Sequence, residues 1–268
     1  MPQETIIRID GFDNLTDTDQ IISFDNFDIR FEDENCKISY PDNYLFLNEY
    51  QLEWIFSMLE MFFQYPIINN TMLVRNNRSI SDFNELVQNF LFFKTRYDDP
   101  SVRNTDDYNN KIIPFLYAIN WYHKAHKVFD ICPTLSFLSL LTTIDALNGD
   151  NEGTIGRDFK ALIRRHNSSI TEAQSQRLYK IYRCKIVHQG RQLQHDVFHR
   201  TLERNEDFVT DRMITEIFAD ENGTLQTRQS QMNRDIVGDI TYNLLYKIVS
   251  NCLKGFLRCY VCEHQNTT

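Results

Sequence analysis

Arg183 and His188 stand with four residues between them in the run Tyr182-Arg183-Cys184-Lys185-Ile186-Val187-His188-Gln189-Gly190. Arg is a permanent cation whose planar fork matches the oxygens of a phosphate. His is the side chain best suited to take up and return a proton near neutral pH. Together they point to chemistry on a phosphodiester that needs no metal and no other cofactor. The bland alternative is a surface Arg and a His near a helix end, where a cation meets the partial negative charge of the last carbonyls. Gly190, just beyond the pair, is the residue type that ends helices.

Other candidates are less complete. Cys184 could be a reactive thiol beside Arg183, but no full Cys–His–acid set accompanies it. Cys252, Cys259, Cys262 and His264 could suggest zinc, yet no second Cys pair has ribbon spacing, and Cys252 and Cys259 suit a helix interior. Gly153-Thr154-Ile155-Gly156-Arg157 lacks the Gly-Lys-Ser/Thr of a phosphate loop and reads as a turn. His123 and His126 read as partly buried packing histidines. Asp145 interrupts an apolar helix, which is costly unless it is paired. It is expected to orient a side chain of the motif helix, Arg183 being the candidate, with a solvated helix-end position as the alternative.

The formal net charge is −9, but its distribution is uneven. Residues 1–60 hold 14 acidic and 3 basic side chains, a balance of −11. Residues 157–204 hold 11 basic and 4 acidic side chains, a balance of +7, and 4 of the 7 His. A basic stretch around the Arg–His pair can attract a polyanion by its local field. The competing reading is a solvated helix face, with Arg164, Arg165, Arg177 and Lys180 paired to acidic neighbours.

The elements that must position these groups are mostly helical. The chain has 268 residues, 42% of them hydrophobic, with only 8 Gly and 6 Pro, which favours long helices over a loop-rich β fold. Short apolar or alternating runs at 5–9, 20–24, 27–31 and 44–47 predict strands, punctuated by Asp10-Gly11, Asp25-Asn26 and Pro41-Asp42-Asn43. Helical periodicity follows over 49–64, with Leu52, Ile55, Phe56 and Leu59 on one face, and over 81–96 with Ser81 as cap. Residues 97–101 read as a linker.

Beyond it the chain reads as helical throughout. One helix carries Ile112, Phe115, Leu116, Ile119, Tyr122 and Phe129. A second starts at Pro133, stops near Gly149 and is apolar almost all round, the mark of a buried central helix. Further helices are expected over about 158–165, 172–188 and 235–260. The polar stretch 205–234 reads as an excursion from the core. The expected organisation is a small N-terminal α+β region over 1–100 and a helical bundle over 101–268. No secretory signal or membrane-length apolar run is visible, and six Cys without an export signal suit reduced thiols in the cytoplasm.

This helix order resembles the HEPN superfamily, specifically its ApeA-like branch. The segment from Phe115 to Ala125 (FLYAINWYHKA) is similar to the family's first helix. Phe137 to Leu147 (FLSLLTTIDAL) is similar to its second. Leu178 to His188 (LYKIYRCKIVH) is similar to its signature helix, in which Arg is followed after four to six residues by His. The likeness covers about 106–262. The branch usually carries Glu where Asp145 stands and a small or polar residue where Cys184 stands.

The resemblance implies a mainly α protein with a HEPN-like C-terminal bundle, and a metal-independent endoribonuclease of toxin–antitoxin or phage-defence systems. Its alternative is a non-catalytic module that binds RNA, a nucleotide or a protein. Residues 1–100 would then be a sensor or regulatory region, and an antitoxin or a phage-derived trigger would be a further partner.

Metal-free RNA cleavage uses the 2′-OH as nucleophile and needs a base, an acid and a cation for the phosphorane. One chain offers a single motif His. Five helical residues turn the side chain by about 500°, about 140° net, so Arg183 and His188 do not share a face. Both facts, and the family, suit a two-fold homodimer that brings two Arg and two His into one cleft. Arg183 would hold the scissile phosphate and His188 would move the proton. Asp145 and Cys184 would support them, and Lys180, Lys185 and Arg191 would hold flanking phosphates.

Overall fold

A computed structural model describes residues 3–41, 45–129, 132–148, 155–180, 213–219, 225–231 and 242–265. Most of them are helical. The chain opens with β1 (Gln3–Asp10), β2 (Leu15–Thr16), β3 (Ile22–Phe24), β4 (Phe27–Glu32) and β5 (Asn35–Tyr40). Then follow α1 (Leu45–Phe63), β6 (Thr71–Leu73), β7 (Arg78–Ser79) and α2 (Ile80–Asp98). A π turn (Tyr108–Ile112) leads into α3 (Ile113–Lys127), followed by α4 (Pro133–Leu147), α5 (Ile155–His166) and α6 (Glu172–Arg177). The remaining described elements are β8 (Met213–Ala219), β9 (Leu225–Gln231) and α7 (Tyr242–Gln265).

Five strands form one sheet in the order β3-β4-β5-β1-β6, antiparallel except where β6 runs parallel to β1. The two tight hairpins follow from their turn residues. Phe24 pairs with Phe27 across Asp25-Asn26, and Glu32 pairs with Asn35 across Asp33-Glu34. Asp25, Asp33 and Glu34 all take positive φ, as such turns require. Gly11 also has positive φ (86°), and a side chain there would overlap the Val74 carbonyl. Alternation along β3 and β4 buries Ile22, Phe24, Phe27, Ile29 and Phe31 and leaves their neighbours towards water.

The covered sheet face packs on α1 and α2. Phe31 meets Phe63 and Phe83 edge-on at 6.2 and 5.7 Å, and Phe24 meets Phe90 at 5.9 Å. The same helices face the bundle on their other side: Phe93 of α2 lies 4.6 Å from Phe115 of α3 and 5.2 Å from Tyr260 of α7. One buried cluster therefore runs from Ile7 to Tyr260 and crosses the expected division near residue 100 without a break. A polar chain adds a tie. Arg78 donates to Gln64, Gln64 to Asn251 and Asn251 to Asn167, at 3.2, 2.6 and 2.9 Å.

Several expectations are corrected here. The run 44–47 is not a strand; its residues from Leu45 open α1, because a four-residue apolar run fits either period and here continues into a helical one. Helix α2 begins at Ile80, capped by Ser79 rather than Ser81: the Ser79 hydroxyl accepts from the Ser81 amide at 3.2 Å. The C-terminal part is not wholly helical. Within 205–234, β8 and β9 pair antiparallel from Met213↔Gln231 to Ala219↔Leu225. Strands β2, β5, β6 and β7 have no counterpart among the runs that predict strands. Pro133 does open α4, as its missing N–H allows.

Candidate functional site

Helices α3 and α4 pack along one another, and α4 also meets α5 and α7. Phe137, Leu140, Leu141 and Ile144 of α4 are fully buried, so α4 is the central helix its composition predicts. Asp145 lies near its C-terminal end and is partly buried. A carboxylate there faces the negative end of the helix dipole, so the position is a costly one for an acid.

The approach to the motif is set by α6. Its first turn is a capping box: the Thr171 hydroxyl accepts from the Gln174 amide at 3.2 Å, and Gln174 Oε1 accepts from the Thr171 amide at 2.9 Å. Leu178, just past α6, is fully buried and anchors the helix to the bundle. Lys180 is exposed, where it can meet a phosphate without a desolvation cost. Arg183, Cys184, Lys185, His188 and Arg191 lie outside the described residues.

The basic segment begins on α5. Phe159 and Ile163 face the core, which turns the cations outward. Arg157 pairs with Asp158 at 3.2 Å and Arg164 with Glu172 at 3.3 Å. Lys160 donates to Gln176 Oε1 at 2.7 Å, and Arg165 to Cys259 Sγ at 3.5 Å. Of the cations that the solvated-face reading names, Arg164 is thus paired with an acid, whereas Arg165 meets a sulfur. His166 ends the helix, and burial lowers its pKa below the ordinary 6.5, with Arg165 adding to the effect.

Cys252 is fully buried in α7, and burial pushes its thiol up to about 12, so it is no nucleophile. Asn167 Nδ2 approaches its sulfur at 3.6 Å. Among the described residues, no group of three or more His, Cys, Asp or Glu side chains is arranged to hold a metal ion. Among the described residues, no helix is long and apolar enough to cross a membrane.

No protein-family model, curated protein or solved structure matches the chain.

The structure adds a group of ionisable side chains that sequence reasoning missed. Glu60 of α1 is wholly inaccessible to water. Its Oε2 lies 3.1 Å from His123 Nδ1, and its Oε1 accepts from the Ile67 amide at 3.1 Å. His126 Nδ1 is 3.4 Å from Oε1 but is poorly aligned to donate. Burial holds the pKa of His126 below the ordinary 6.5 despite the nearby Glu60, which works the other way. Tyr122, Tyr242 and Tyr246 also feel Glu60, and their phenols are pushed up chiefly by burial.

His123 is thus buried more deeply than expected and is bonded to an acid, whereas His126 is partly buried, as expected, and lies close to that acid. A signal was available: Glu60 directly follows the apolar positions Ile55, Phe56 and Leu59 on α1. A glutamate bordering such a stripe needs a donor, and two His at three-residue spacing on α3 can supply one.

Proposed function

We propose that the protein is a metal-independent endoribonuclease of the HEPN type, working as a cytoplasmic homodimer in phage defence or growth arrest. Arg183 binds the scissile phosphate and His188 transfers the proton between the 2′-OH, the phosphorane and the leaving 5′-oxygen. A two-fold dimer supplies the second His, so that one imidazole serves as base and the other as acid. Asp145 and Cys184 support the pair, and Lys180, Lys185 and Arg191 contact flanking phosphates.

One observation carries the reading. The segments that resemble the family's first two helices form α3 and α4, packed against each other, and the capped α6 then leads into the signature segment. The β8–β9 hairpin is an addition to that helical order.

The test is RNA cleavage in the presence of EDTA by the wild type and by His188→Ala, with the oligomeric state of both followed by light scattering. Loss of cleavage in a variant that still dimerises is the expected result. Equal cleavage by both proteins removes the catalytic assignment. RNA binding without cleavage by the wild type makes the protein a binding module instead.

A further inference from the structure

Lys247, Asn251, Lys254 and Arg258 fall at i, i+4, i+7 and i+11 on α7, so they share one face of that helix. The opposite face carries the buried Val249, Cys252 and Leu253. Strand β7 brings another cation to the polar row. Arg78 donates to Gln64, and Gln64 donates to Asn251 in the middle of the row, at 3.2 and 2.6 Å. The Arg78 guanidinium also lies over the Phe62 ring, 5.8 Å from its centroid. These contacts hold the group in place. The Gln64 bond is its only hydrogen bond to a described residue, so most of its donor fork is left for a ligand.

Lys254 stands at the centre of the group. It is partly buried, and among the described residues it makes no hydrogen bond or ion pair. Its ammonium keeps contact with water, so an anion can reach it. Burial lowers its pKa from 10.5 to about 7, and Arg78, Arg258 and Lys247 add to the effect by repulsion. Two acids stand on the α2 side, and both are engaged with the arginines. Glu85 lies 3.6 Å from Arg258, and Asp82 acts on Arg78. Among the described residues, no acid offsets the repulsion at Lys254.

A solvated charged face pairs its cations or spreads them. Here cations from two elements converge on one half-sheltered lysine and raise the local potential. A nucleic-acid backbone distributes its charge along its length, one per phosphate. A chain of directly linked phosphates packs several charges into one small group, and that is the anion a convergent cluster matches.

We infer that Lys254, Arg78, Lys247 and Arg258 form a binding site for an oligophosphate, the triphosphate chain of a free polyphosphate or of a nucleotide. Lys254 meets the phosphate that enters deepest, and the Arg78 fork takes oxygens of the same group. Lys247 and Arg258, on either side of Lys254 along the row, hold the neighbouring phosphates. None of these residues belongs to the motif segment, and the site does not rest on the ribonuclease reading.

Tripolyphosphate is the probe, with binding to the full chain in EDTA followed by calorimetry and by the rise in thermal midpoint. Lys254→Met keeps the apolar stem and removes a charge that is costly to bury, so the variant is expected to fold. It should bind tripolyphosphate at least about tenfold more weakly, the scale of a lost charge-assisted hydrogen bond. Lys247→Met should lose about threefold, as an exposed charge contact would. Lys124→Met deletes the same charge on α3 and should bind as the wild type does, and so should Arg183→Ala. Adenosine triphosphate separates the two sources. Tighter binding than tripolyphosphate assigns a nucleotide, and equal or weaker binding assigns the free chain.

Absence of binding at millimolar tripolyphosphate overturns the inference. So does an equal loss in Lys254→Met and Lys124→Met, the mark of a diffuse field, or a loss confined to Arg183→Ala, which puts the anion at the motif. Lys247 and Lys124 are both exposed, so their two variants make the same comparison even where Lys254→Met fails to fold.

Discussion

Glu60 and His123 are 63 positions apart in the chain, yet their side chains meet at 3.1 Å where water does not reach. The contact joins α1, which also covers the sheet, to α3 of the bundle, so it spans both parts of the molecule. An acid in that position is tolerable only because two groups bond to it, the His123 ring and the Ile67 amide, with the His126 ring close by. Glu60→Ala would leave those donors buried without their acceptor. The expected loss is about 3 kcal/mol of folding stability, measured by urea unfolding, with the slope of the transition unchanged. A loss too small to measure would mean that the group contributes nothing to holding α1 against α3.

The two depressed histidines make a pH prediction. Burial holds His126 and His166 below the 6.5 of the unfolded chain. Between the folded and unfolded values the unfolded state binds more protons, so stability rises with pH there. It should be complete above pH 6.5 and decline as pH falls through and below that value, levelling off once the folded-state histidines also titrate. Glu60 opposes the shift at His126, whereas His123 and Lys127 reinforce it, and Arg165 reinforces it at His166. Thermal midpoints over this pH window for the wild type and His126→Gln check the claim. The variant should show the shallower decline.

Much of the helical part was legible because apolar residues at three- and four-residue spacing outweigh every other local signal. Phe115, Ile119 and Tyr122, and likewise Phe137, Leu140, Leu141 and Ile144, are all buried where their periodicity puts them. The hairpin turn at Asp25 was legible from residue type alone. Strand β5 was not, because Cys36-Lys37-Ile38-Ser39-Tyr40 mixes small, charged and apolar residues, and its pairing with both β1 and β4 is a long-range fact. The same holds for the acid–histidine group. Each member has an ordinary local context, and only the packing of α1 on α3 brings them together. The arginine and histidine of the motif carry a chemical argument from residue type and spacing, and that argument rests on the sequence.

Gly255 gives a third prediction. It sits within α7, where glycine weakens a helix, so its presence needs a reason. The reason is His166: a methyl group at Gly255 would overlap the imidazole ring. Gly255→Ala is therefore expected to destabilise the fold by about 2 kcal/mol even though alanine is the better helix former. His166→Ala should remove the clash, making the double variant more stable than Gly255→Ala alone. A double-mutant cycle by chemical unfolding measures the coupling, and strict additivity would show that α5 and α7 do not meet at this point.

The buried hydroxyls of Tyr122 and Ser250 make a fourth. Ser250 donates to the Tyr246 carbonyl at 2.8 Å, so the 2.7 Å contact with Tyr122 is one in which the phenol donates. Both side chains are fully buried. Ser250→Ala strands the phenol O–H and should cost about 2 kcal/mol, whereas Tyr122→Phe removes donor and need together and should cost about 1 kcal/mol. Equilibrium unfolding of the two variants gives the order, and the reverse order would contradict this donor assignment.

The proposed ribonuclease makes the sharpest claim, because a composite centre behaves differently from two independent ones. If each cleft is built from two Arg183 and two His188, then Arg183→Ala and His188→Ala homodimers each lack one kind of group altogether. Either variant is expected to lose at least about 100-fold of the cleavage rate, the scale of a removed general acid–base or phosphate-binding group. Mixing the two and allowing subunits to exchange creates heterodimers with one Arg and one His in the shared cleft. Part of the activity should return, with a time course that follows exchange, because both kinds of group are again present and only one of the two proton transfers stays uncatalysed. A site complete within one chain would give no recovery, because every subunit in the mixture is defective. Cleavage of a labelled RNA in EDTA, sampled as the mixed variants equilibrate, separates the two outcomes. Exchange itself is followed independently by native mass spectrometry, so a flat activity trace alongside proven heterodimers would end the shared-cleft mechanism.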